Sequence, residues 1–245
     1  MKNIIQEKTF FKRLPEKINK IFYRCINGPV VIPMSYDKKR NEILKYAKAF
    51  ETKIFIETGT YYGETAETLQ KEFKKLFTVE LDRKLYEESS AKLKKYSNVT
   101  TLHGDSGTVL REIMKQINEP TIFWLDAHYS GGPTAKGKTE TPIIEELRII
   151  SEHSTKKHVV LIDDARCFNG EHDYPTLTEL ATKVKSFMGN IFFDVQDDII
   201  RITPSETQNI RSKKIIHYNE PLRLRFGRIY KKWILFIKKI ISGSV

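Results

Sequence analysis

The chain has 245 residues, enough for one ordinary domain with additions at its ends, and its two cysteines cannot form a disulfide framework. The net charge of +11 is concentrated at the ends, because residues 1–25 carry +5, residues 222–245 carry +7 and the middle carries −1. A catalytic groove for nucleic acid would place the basic residues in the middle, so we expect nucleic acid not to be the partner.

The pattern of apolar residues predicts a helix from Ser35 or Asp37 to about Phe50, followed by a regular alternation of strands and helices. This alternation is typical of a parallel sheet with helices on both faces. The expected strands are 53–57, 76–80, 99–103, 121–126, 158–163, 190–196 and 199–203. The expected helices between them are 63–74, 83–96, 106–117, 141–152 and 176–188. The last two strands flank Asp197–Asp198 and should form a hairpin.

Acidic residues follow three of the apolar strands directly. Glu57 ends the first strand, Asp126 ends the fourth, and Asp163 with Asp164 ends the fifth. In an open α/β sheet, ligands bind outside the carboxyl ends of the parallel strands. These carboxylates should therefore converge on one crevice.

The turn after the first strand reads Glu57-x-Gly59-x-x-x-Gly63 and opens a helix. Glycine lets the backbone approach a ligand closely and adopt positive φ at a sharp bend. An ordinary strand–helix turn explains this segment equally well by itself. Glu80 ends the second strand, where an acid can accept hydrogen bonds from both hydroxyls of a ribose. Asp105, after the third strand, is placed either for an adenine amino group or as a helix cap.

Together, the segments 57–63, 79–82 and 104–106 resemble the first three motifs of class I S-adenosylmethionine-dependent methyltransferases, in an order and spacing that match across residues 40–203. The resemblance implies an α/β, Rossmann-like fold with a seven-stranded, mostly parallel sheet that closes with an antiparallel hairpin. It also implies S-adenosylmethionine as the cofactor. The residues that would bind it are Glu57, Thr58, Gly59, Thr60 and Gly63 at the methionine part, Glu80 at the ribose, Asp105 and Ser106 at the adenine, and Asp126.

The acids after strands four and five resemble those of the catechol- and macrocin-type O-methyltransferases, which bind one divalent cation. By that resemblance Asp126, Asp163 and Asp164 would bind Mg²⁺, which prefers oxygen ligands. Alternatively, Asp163–Asp164 caps the following turn and Asp126 contacts only the cofactor. His128 is the candidate general base, with Asp126 beside it, because histidine titrates near physiological pH. The catechol type uses a lysine near this point, and here none follows before Lys136.

Two loops are expected to form the acceptor site. Residues 129–141 form either a substrate lid or a mobile surface loop, and residues 166–174 carry Asn169, His172 and Asp173, which could bind sugar hydroxyls. The stretch 125–132 resembles proteins of bacterial surface-glycan biosynthesis. Methyltransferases of the adenine amino group usually carry Asn/Asp–Pro–Pro–aromatic after strand four, whereas residues 126–129 read Asp–Ala–His–Tyr, which argues against methylation of a base and favours an oxygen acceptor.

The expected function is therefore an O-methyltransferase, Mg²⁺-assisted, that acts on a hydroxyl of a sugar or glycan precursor. Two alternatives remain open. One is a metal-independent methyltransferase of another small acceptor, and the other is a non-catalytic, membrane-attached module that binds the cofactor. The sequence indicates neither the acceptor, nor the methylated position, nor the oligomeric state.

Three parts are predicted along the chain: a basic helix and linker at 1–34, the methyltransferase domain at 35–205, and a basic amphipathic extension at 206–245. In the extension, apolar and aromatic residues of 222–241 share one helical face, which is typical of a helix that lies in a membrane interface. The alternatives are docking on protein and binding of RNA. We expect a cytoplasmic protein, peripheral on the inner face of the membrane.

Overall fold

One seven-stranded sheet organises the residues that the computed structural model describes, 35–126 and 141–205. The strands are β1 (Ile54–Thr58), β2 (Lys75–Glu80), β3 (Val99–His103), β4 (Thr121–Leu125), β5 (Val159–Ile162), β6 (Ile191–Gln196) and β7 (Ile199–Pro204). Their order in the sheet is β3-β2-β1-β4-β5-β7-β6. Strands β1 to β5 are parallel, whereas β7 pairs antiparallel with both β5 and β6. The predicted Rossmann-like fold with its closing hairpin is confirmed.

Six α-helices cover this sheet within the described ranges, and each lies where the sequence predicts one. They are α1 (Tyr36–Ala49), α2 (Glu64–Leu69), α3 (Arg83–Leu93), α4 (Ser106–Met114), α5 (Ile143–Glu152) and α6 (Leu177–Met188). Short 3₁₀ turns follow α2 at Gln70–Glu72 and β5 at Ala165–Cys167. The helices are shorter than predicted, mainly at their carboxyl ends, where apolar periodicity gives no sharp stop signal.

Both faces of the sheet are buried, so successive strand residues belong to two different apolar cores. In β1, Ile54 and Ile56 belong to the core that the sheet forms with α4, α5 and α6. Phe55 belongs to the core on the other face, under α1 and α2. All five residues of β1 are buried, and Glu57 is therefore an acid inside a strand that is otherwise surrounded by apolar groups.

Helix α1 is fastened to the far side of the sheet by a buried ion pair. Arg201 in β7 is only 3 % exposed, and its Nε donates to Oε1 of Glu42 at 2.9 Å. Its Nη1 donates to the carbonyl oxygens of Gln196 and Ile199 at 2.7 and 3.0 Å, and its guanidinium lies over the ring of Tyr46. The geometry fixes α1 across the sheet near β5 and β7.

The hairpin between β6 and β7 turns at Asp197 and Asp198, which have φ values of 51° and 64°. Two residues at positive φ are typical of a type I′ turn, whose twist matches that of the flanking strands, and Asp tolerates this conformation. The carbonyl and carboxylate of Asp198 accept hydrogen bonds from the amides of Ala165 and Arg166, both at 2.8 Å. The hairpin therefore supports the loop after β5.

The predicted terminal segments 1–34 and 206–245, including the membrane helix expected at 222–241, lie outside the described residues. Their assignments stay predictions. None of the helices in residues 35–126 and 141–205 is long and apolar enough to cross a bilayer.

Candidate active site

A chain of buried hydrogen bonds holds the carboxyl group at the end of β1. Glu57 is 2 % exposed, and its Oε2 accepts from the hydroxyl of Thr78 at 2.8 Å. The Thr78 hydroxyl lies 2.6 Å from that of Thr60, and either hydroxyl can be the donor of this hydrogen bond. Burial, with the charges of Asp126 and Glu80, raises the pKa of Glu57 to about 8 despite these donors. Glu57 therefore anchors the turn mainly as a neutral carboxyl group at pH 7.

The turn from β1 to α2 folds back over β2. Gly59 has φ 88° and Gly63 has φ 71°, and the amides of Gly59 and Thr60 both donate to the carbonyl of Val79, at 2.9 and 3.2 Å. A Cβ built on Gly63 would lie 3.0 Å from Cδ1 of Leu93, so a larger residue would strain both the backbone and this packing. The turn thus presents backbone closely at the sheet edge, as predicted.

Glu80 at the end of β2 is held by backbone amides only. Its side chain accepts from the amide of Tyr61 at 2.8 Å through Oε2 and from the amide of Asp82 at 2.9 Å through Oε1. Burial raises the pKa of Glu80, and these amides oppose the shift. Each oxygen retains acceptor capacity, which suits the two hydroxyls of a ribose. Asp82 itself caps α3, through the amide of Leu85, and leaves Glu80 outside that capping interaction.

Asp105 and Ser106 lie at the start of α4, beyond the end of β3. Asp105 is the N-cap residue, but its side chain accepts no capping hydrogen bond from α4. The capping interpretation of its carboxylate is therefore not realised, and the adenine role stays a prediction. Ser106 is buried at the first helical position. The amide of Gly104, before them, donates to the carbonyl of Glu80 at 2.8 Å and holds the two loops together.

Two buried polar atoms at this edge, Oγ1 of Thr58 and Oε1 of Glu146, make no hydrogen bond of good geometry among the described residues, although the hydroxyls of Thr58 and Ser106 lie near the Glu146 carboxyl group. Glu146 belongs to α5 and is 1 % exposed, on the helix face that also carries Ile143 and Leu147. Burial raises the pKa of Glu146 to about 7, although hydroxyl groups nearby oppose the shift. Because buried polar atoms without a good hydrogen bond are costly, they support the fit of a polar ligand such as the implied cofactor.

The acids after β5 are held by cations rather than by neutral donors. Oδ2 of Asp163 accepts from the ammonium group of Lys39 in α1, and Oδ1 accepts from the amide of Asp164 at 2.8 Å. The same ammonium nitrogen lies 3.9 Å from Oδ1 of Asp164. Burial and the charges of Asp126 and Asp164 raise the pKa of Asp163, against the influence of Lys39.

Arg166 neutralises the second acid of this pair. Its Nη1 lies 2.7 Å from Oδ1 of Asp164 and also contacts Oδ2 of Asp198 in the hairpin turn. Asp164 has φ 53°, a conformation that turns the chain sharply after β5. The loop after β5 is thus connected to the hairpin by charge as well as by backbone.

The predicted Mg²⁺ site is not supported by this geometry. Within residues 35–126 and 141–205, no group of three or more His, Cys, Asp or Glu side chains is arranged to hold a metal ion. Both oxygens of Asp163 are already engaged, and the cation beside it is Lys39. The donor set of Asp126, Asp163 and Asp164 therefore does not fit the metal. His128, the candidate base, lies outside the described residues, and its role stays a prediction.

A cavity opens at the carboxyl ends of β4 and β5, next to these acids. Its polar wall contains Asp126, Glu146 and Asp163, and the loop after β5 contributes the rings of Phe168 and Tyr174. The two rings meet edge to face, 5.2 Å between centroids. The predicted polar residues of this loop are exposed and do not line the cavity: Asn169, His172 and Asp173. The acceptor side is therefore more aromatic than predicted.

Sequence reasoning missed two residues of this region. Lys39 gave no signal, since it is one of several lysines in α1 and is 124 residues from its partner. Glu146 did give one: it interrupts the apolar face of a helix, at the spacing where the pattern calls for another apolar residue.

Comparisons with known proteins extend this description. Residues 36–120 match the family model for "Ribosomal RNA adenine dimethylase", from α1 to the residue before β4. Ribosomal RNA small subunit methyltransferase A of Caldanaerobacter subterraneus subsp. tengcongensis is 25% identical over 215 residues, which are 84% of this chain and 76% of that protein. This chain is a class I S-adenosylmethionine-dependent methyltransferase.

Solved methyltransferases are similar at lower identity. The methyltransferase PaMTH1 of Podospora anserina is 15% identical, with a TM-score of 0.47 over 82% of this chain and 95% of that one. The O-methyltransferase TomG of Streptomyces achromogenes is 16% identical, with a TM-score of 0.45 over 78% and 91%. Neither likeness, at a TM-score under 0.5, bears on the acceptor.

These matches overturn two predictions. The expected glycan O-methyltransferase was wrong, because the family model and the curated relative are both named for ribosomal RNA. The expectation that nucleic acid is not a partner was wrong for the same reason. It rested on the charge of the middle of the chain.

Proposed function

We propose that this methyltransferase acts on RNA and that its acceptor is an adenine amino group in ribosomal RNA. The observation that carries the proposal is the similarity to a ribosomal RNA methyltransferase over 84% of the chain. The family match supports it for the half of the sheet that precedes β4. The residues from β4 onward, which surround the acceptor cavity, lie outside that match. Their chemistry gives separate support.

The lining of the cavity supports a flat, aromatic acceptor. The half-buried Tyr174 presents its ring beside the carboxylates of Asp126 and Asp163, and the buried Phe168 supports that ring edge to face. A base that is turned out of an RNA strand is recognised by stacking on aromatic rings and by hydrogen bonds to its polar edge. A sugar hydroxyl would be better served by the polar side chains of this loop, which are exposed instead.

The segment after β4 keeps part of the pattern of amino-group methyltransferases. In Asp–Ala–His–Tyr, Asp126 and Tyr129 hold the acidic and aromatic positions of Asn/Asp–Pro–Pro–aromatic, while the two prolines are missing. Proline offers no side-chain hydrogen bond, so the two missing prolines do not change which polar groups the motif carries. The departure leaves the polar and aromatic groups in place.

The chemistry needs a hydrogen-bond acceptor at the amino group. When bound, S-adenosylmethionine supplies a methyl group on a positively charged sulfur. The lone pair of an adenine amino group is delocalised into the ring, and an N–H donated to an acceptor makes the nitrogen more nucleophilic. Asp126 is half-buried at the end of β4 and is our candidate acceptor. Glu80 would bind the ribose of the cofactor through its two amide-held oxygens.

The uneven charge supports a polyanionic partner. Residues 1–25 and 222–245 together hold 14 of the 42 Lys and Arg residues. Basic segments bind RNA through phosphates, with an affinity that falls steeply as salt rises. We therefore propose RNA, among the three alternatives left open for these segments, as their partner.

The test is methyl transfer from labelled S-adenosylmethionine to unmodified small-subunit ribosomal RNA, both free and assembled with its proteins, followed by mass spectrometry of the nucleosides. We expect N6-methylated or N6-dimethylated adenosine. Asp126→Asn should lower the rate about 100-fold, and the surface variant Asp37→Asn should not change it. Label on a ribose 2′-hydroxyl, or none in RNA while the cofactor binds, would contradict the proposal.

A further inference from the structure

We propose that the ammonium group of Lys39 is a built-in cation, which holds the acids after β4 and β5 in the place where the sequence resemblance implied a divalent ion. Lys39 is then a positioning residue. It fixes Asp163 and balances the charge of Asp126 and Asp164 without touching the methyl donor. The proposal concerns this charge cluster alone and holds whatever the acceptor is.

The ammonium nitrogen of Lys39 lies close to the two acids that follow β5. It donates to Oδ2 of Asp163, a carboxylate with its side chain almost fully buried, and lies 3.9 Å from Oδ1 of Asp164. Asp126, at the end of the neighbouring strand, lines the same cavity as Asp163. The ammonium group therefore contacts Asp163 and Asp164 beside Asp126, and it shares the neutralisation of Asp164 with Arg166.

Lys39 is held in this position by its helix. Glu42, three residues later in α1, pairs with the buried Arg201, whose Nη2 lies 2.8 Å from Oε1 of Glu42. Tyr46, one turn further, packs under the guanidinium. A long side chain on a helix fixed at two later turns loses less conformational freedom on pairing than one on a mobile segment. The contact is thus part of the fold rather than a chance pairing on the surface.

The loss of the Lys39 ammonium group should change how the protein binds metal ions. Bringing three carboxylates together is unfavourable unless a cation neutralises them, and an ammonium group does so without demanding octahedral oxygen ligands. Removing the ammonium should leave Asp163 without its cation, beside the carboxylates of Asp126 and Asp164. A divalent cation should then bind more tightly than it does while Lys39 is present.

The experiment measures Mn²⁺ binding by the full-length protein, without cofactor or RNA, using isothermal titration and the loss of the free-ion signal in electron paramagnetic resonance. Lys39→Ala should bind one Mn²⁺ roughly tenfold or more tightly than the wild type. Lys38→Ala, which removes an exposed lysine next to it on α1, should behave as the wild type. Lys39→Arg should also not gain affinity, because the cation is retained.

Two further variants separate this role from general damage to the fold. Lys39→Gln keeps most of the side-chain volume. It should bind Mn²⁺ more tightly than the wild type, but less tightly than Lys39→Ala does. Adding Asp163→Asn to Lys39→Ala should remove the gained affinity, because one of the three carboxylates is lost. Far-ultraviolet circular dichroism shows whether Lys39→Ala and Lys39→Gln are folded as the wild type is. The proposal would be overturned if both variants are folded and neither binds Mn²⁺ more tightly than the wild type.

Discussion

The two halves of the sheet hold their acids by different means. On the side of β1 to β3, Glu57 and Glu80 are held by hydroxyl groups and backbone amides, which carry no net charge. On the side of β4 to β7, Asp163 and Asp164 are held by Lys39 and Arg166. Neutral donors leave a carboxylate able to accept further hydrogen bonds, whereas a cation balances its charge. The first arrangement suits the binding of a polar cofactor, and the second suits a site whose net charge must stay low.

The largest expected effect is a loss of cofactor affinity, and it concerns the half of the sheet formed by β1 to β3. Glu80→Ala removes both acceptors that we assign to the cofactor ribose. Since each hydrogen bond to a charged group contributes about 1.5–3 kcal/mol, the affinity for S-adenosylmethionine should fall roughly 100-fold. Isothermal titration measures the change. Glu87→Gln, which removes an exposed acid paired with Arg83, is the control and should bind the cofactor as the wild type does. An affinity of Glu80→Ala close to that of the wild type would show that the ribose lies elsewhere.

The second expected effect is a dependence of stability on pH, which arises from Glu57 in the same half of the sheet. The pKa of Glu57 is about 8 in the folded protein, above its value in the unfolded chain, so the unfolded state binds fewer protons between about pH 4.5 and pH 8. Stability contributed by the protonated group is therefore present at low pH and lost as pH rises through 8. Glu57→Gln cannot titrate. Its free energy of unfolding, relative to that of the wild type, should therefore rise by about 1 kcal/mol per pH unit across this window.

Urea unfolding of both proteins at pH 5, 6, 7 and 8 measures that difference. Glu112→Gln, an exposed acid on α4, provides the control, and its stability should run parallel to that of the wild type. Parallel curves for Glu57→Gln and wild type would mean that the buried carboxyl group is charged over the whole range, and would remove the contrast between a neutral first half and an ionic second half.

How far the sequence predicts each half follows from the range of the interactions involved. The turn 57–63, Glu80 and the start of α4 were predicted because their signals are local: an acid or a glycine at a fixed distance from a strand end. The ion pairs of the second half join residues far apart in the chain, such as Lys39 with Asp163 and Arg166 with Asp198. No spacing encodes such a pair. Acids that resembled metal ligands in sequence therefore proved to be partners of cations from elsewhere.

The orientation of the loop after β5 was missed for a related reason. Asn169, His172 and Asp173 are the polar residues that a sequence draws attention to, but their loop leaves them exposed and turns Phe168 and Tyr174 toward the cavity. Which side of an irregular loop faces inward depends on the residues that pin it, here Arg166 and Asp198. That choice has no periodicity to reveal it.

The third effect tests the ionic half. Arg166→Gln leaves Asp164 and the buried Asp198 without their common cation, and breaking such a partly buried pair costs more than breaking an exposed one. We expect the free energy of unfolding to fall by about 2 kcal/mol, after allowing for the partial exposure of Arg166. The matched variant Arg83→Gln breaks an exposed pair in the first half and should cost less than about 0.5 kcal/mol. Chemical denaturation at pH 7 measures both; equal losses would erase the difference between the halves.

The smallest effect concerns Glu146, which reaches the site from α5 between the two halves. Because burial raises the pKa of Glu146 to about 7 and its Oε1 makes no hydrogen bond of good geometry among the described residues, Glu146→Leu should remove a costly buried group and raise the free energy of unfolding by about 1 kcal/mol. The same change should weaken the binding of S-adenosylmethionine or of the RNA acceptor, since that oxygen is then missing from the cavity wall. Glu146→Gln keeps the shape and a carbonyl oxygen, and should retain most of the affinity. A Leu variant that is less stable than the wild type, with unchanged binding of both ligands, would mean that Glu146 is a satisfied structural group and contributes nothing to either half of the site.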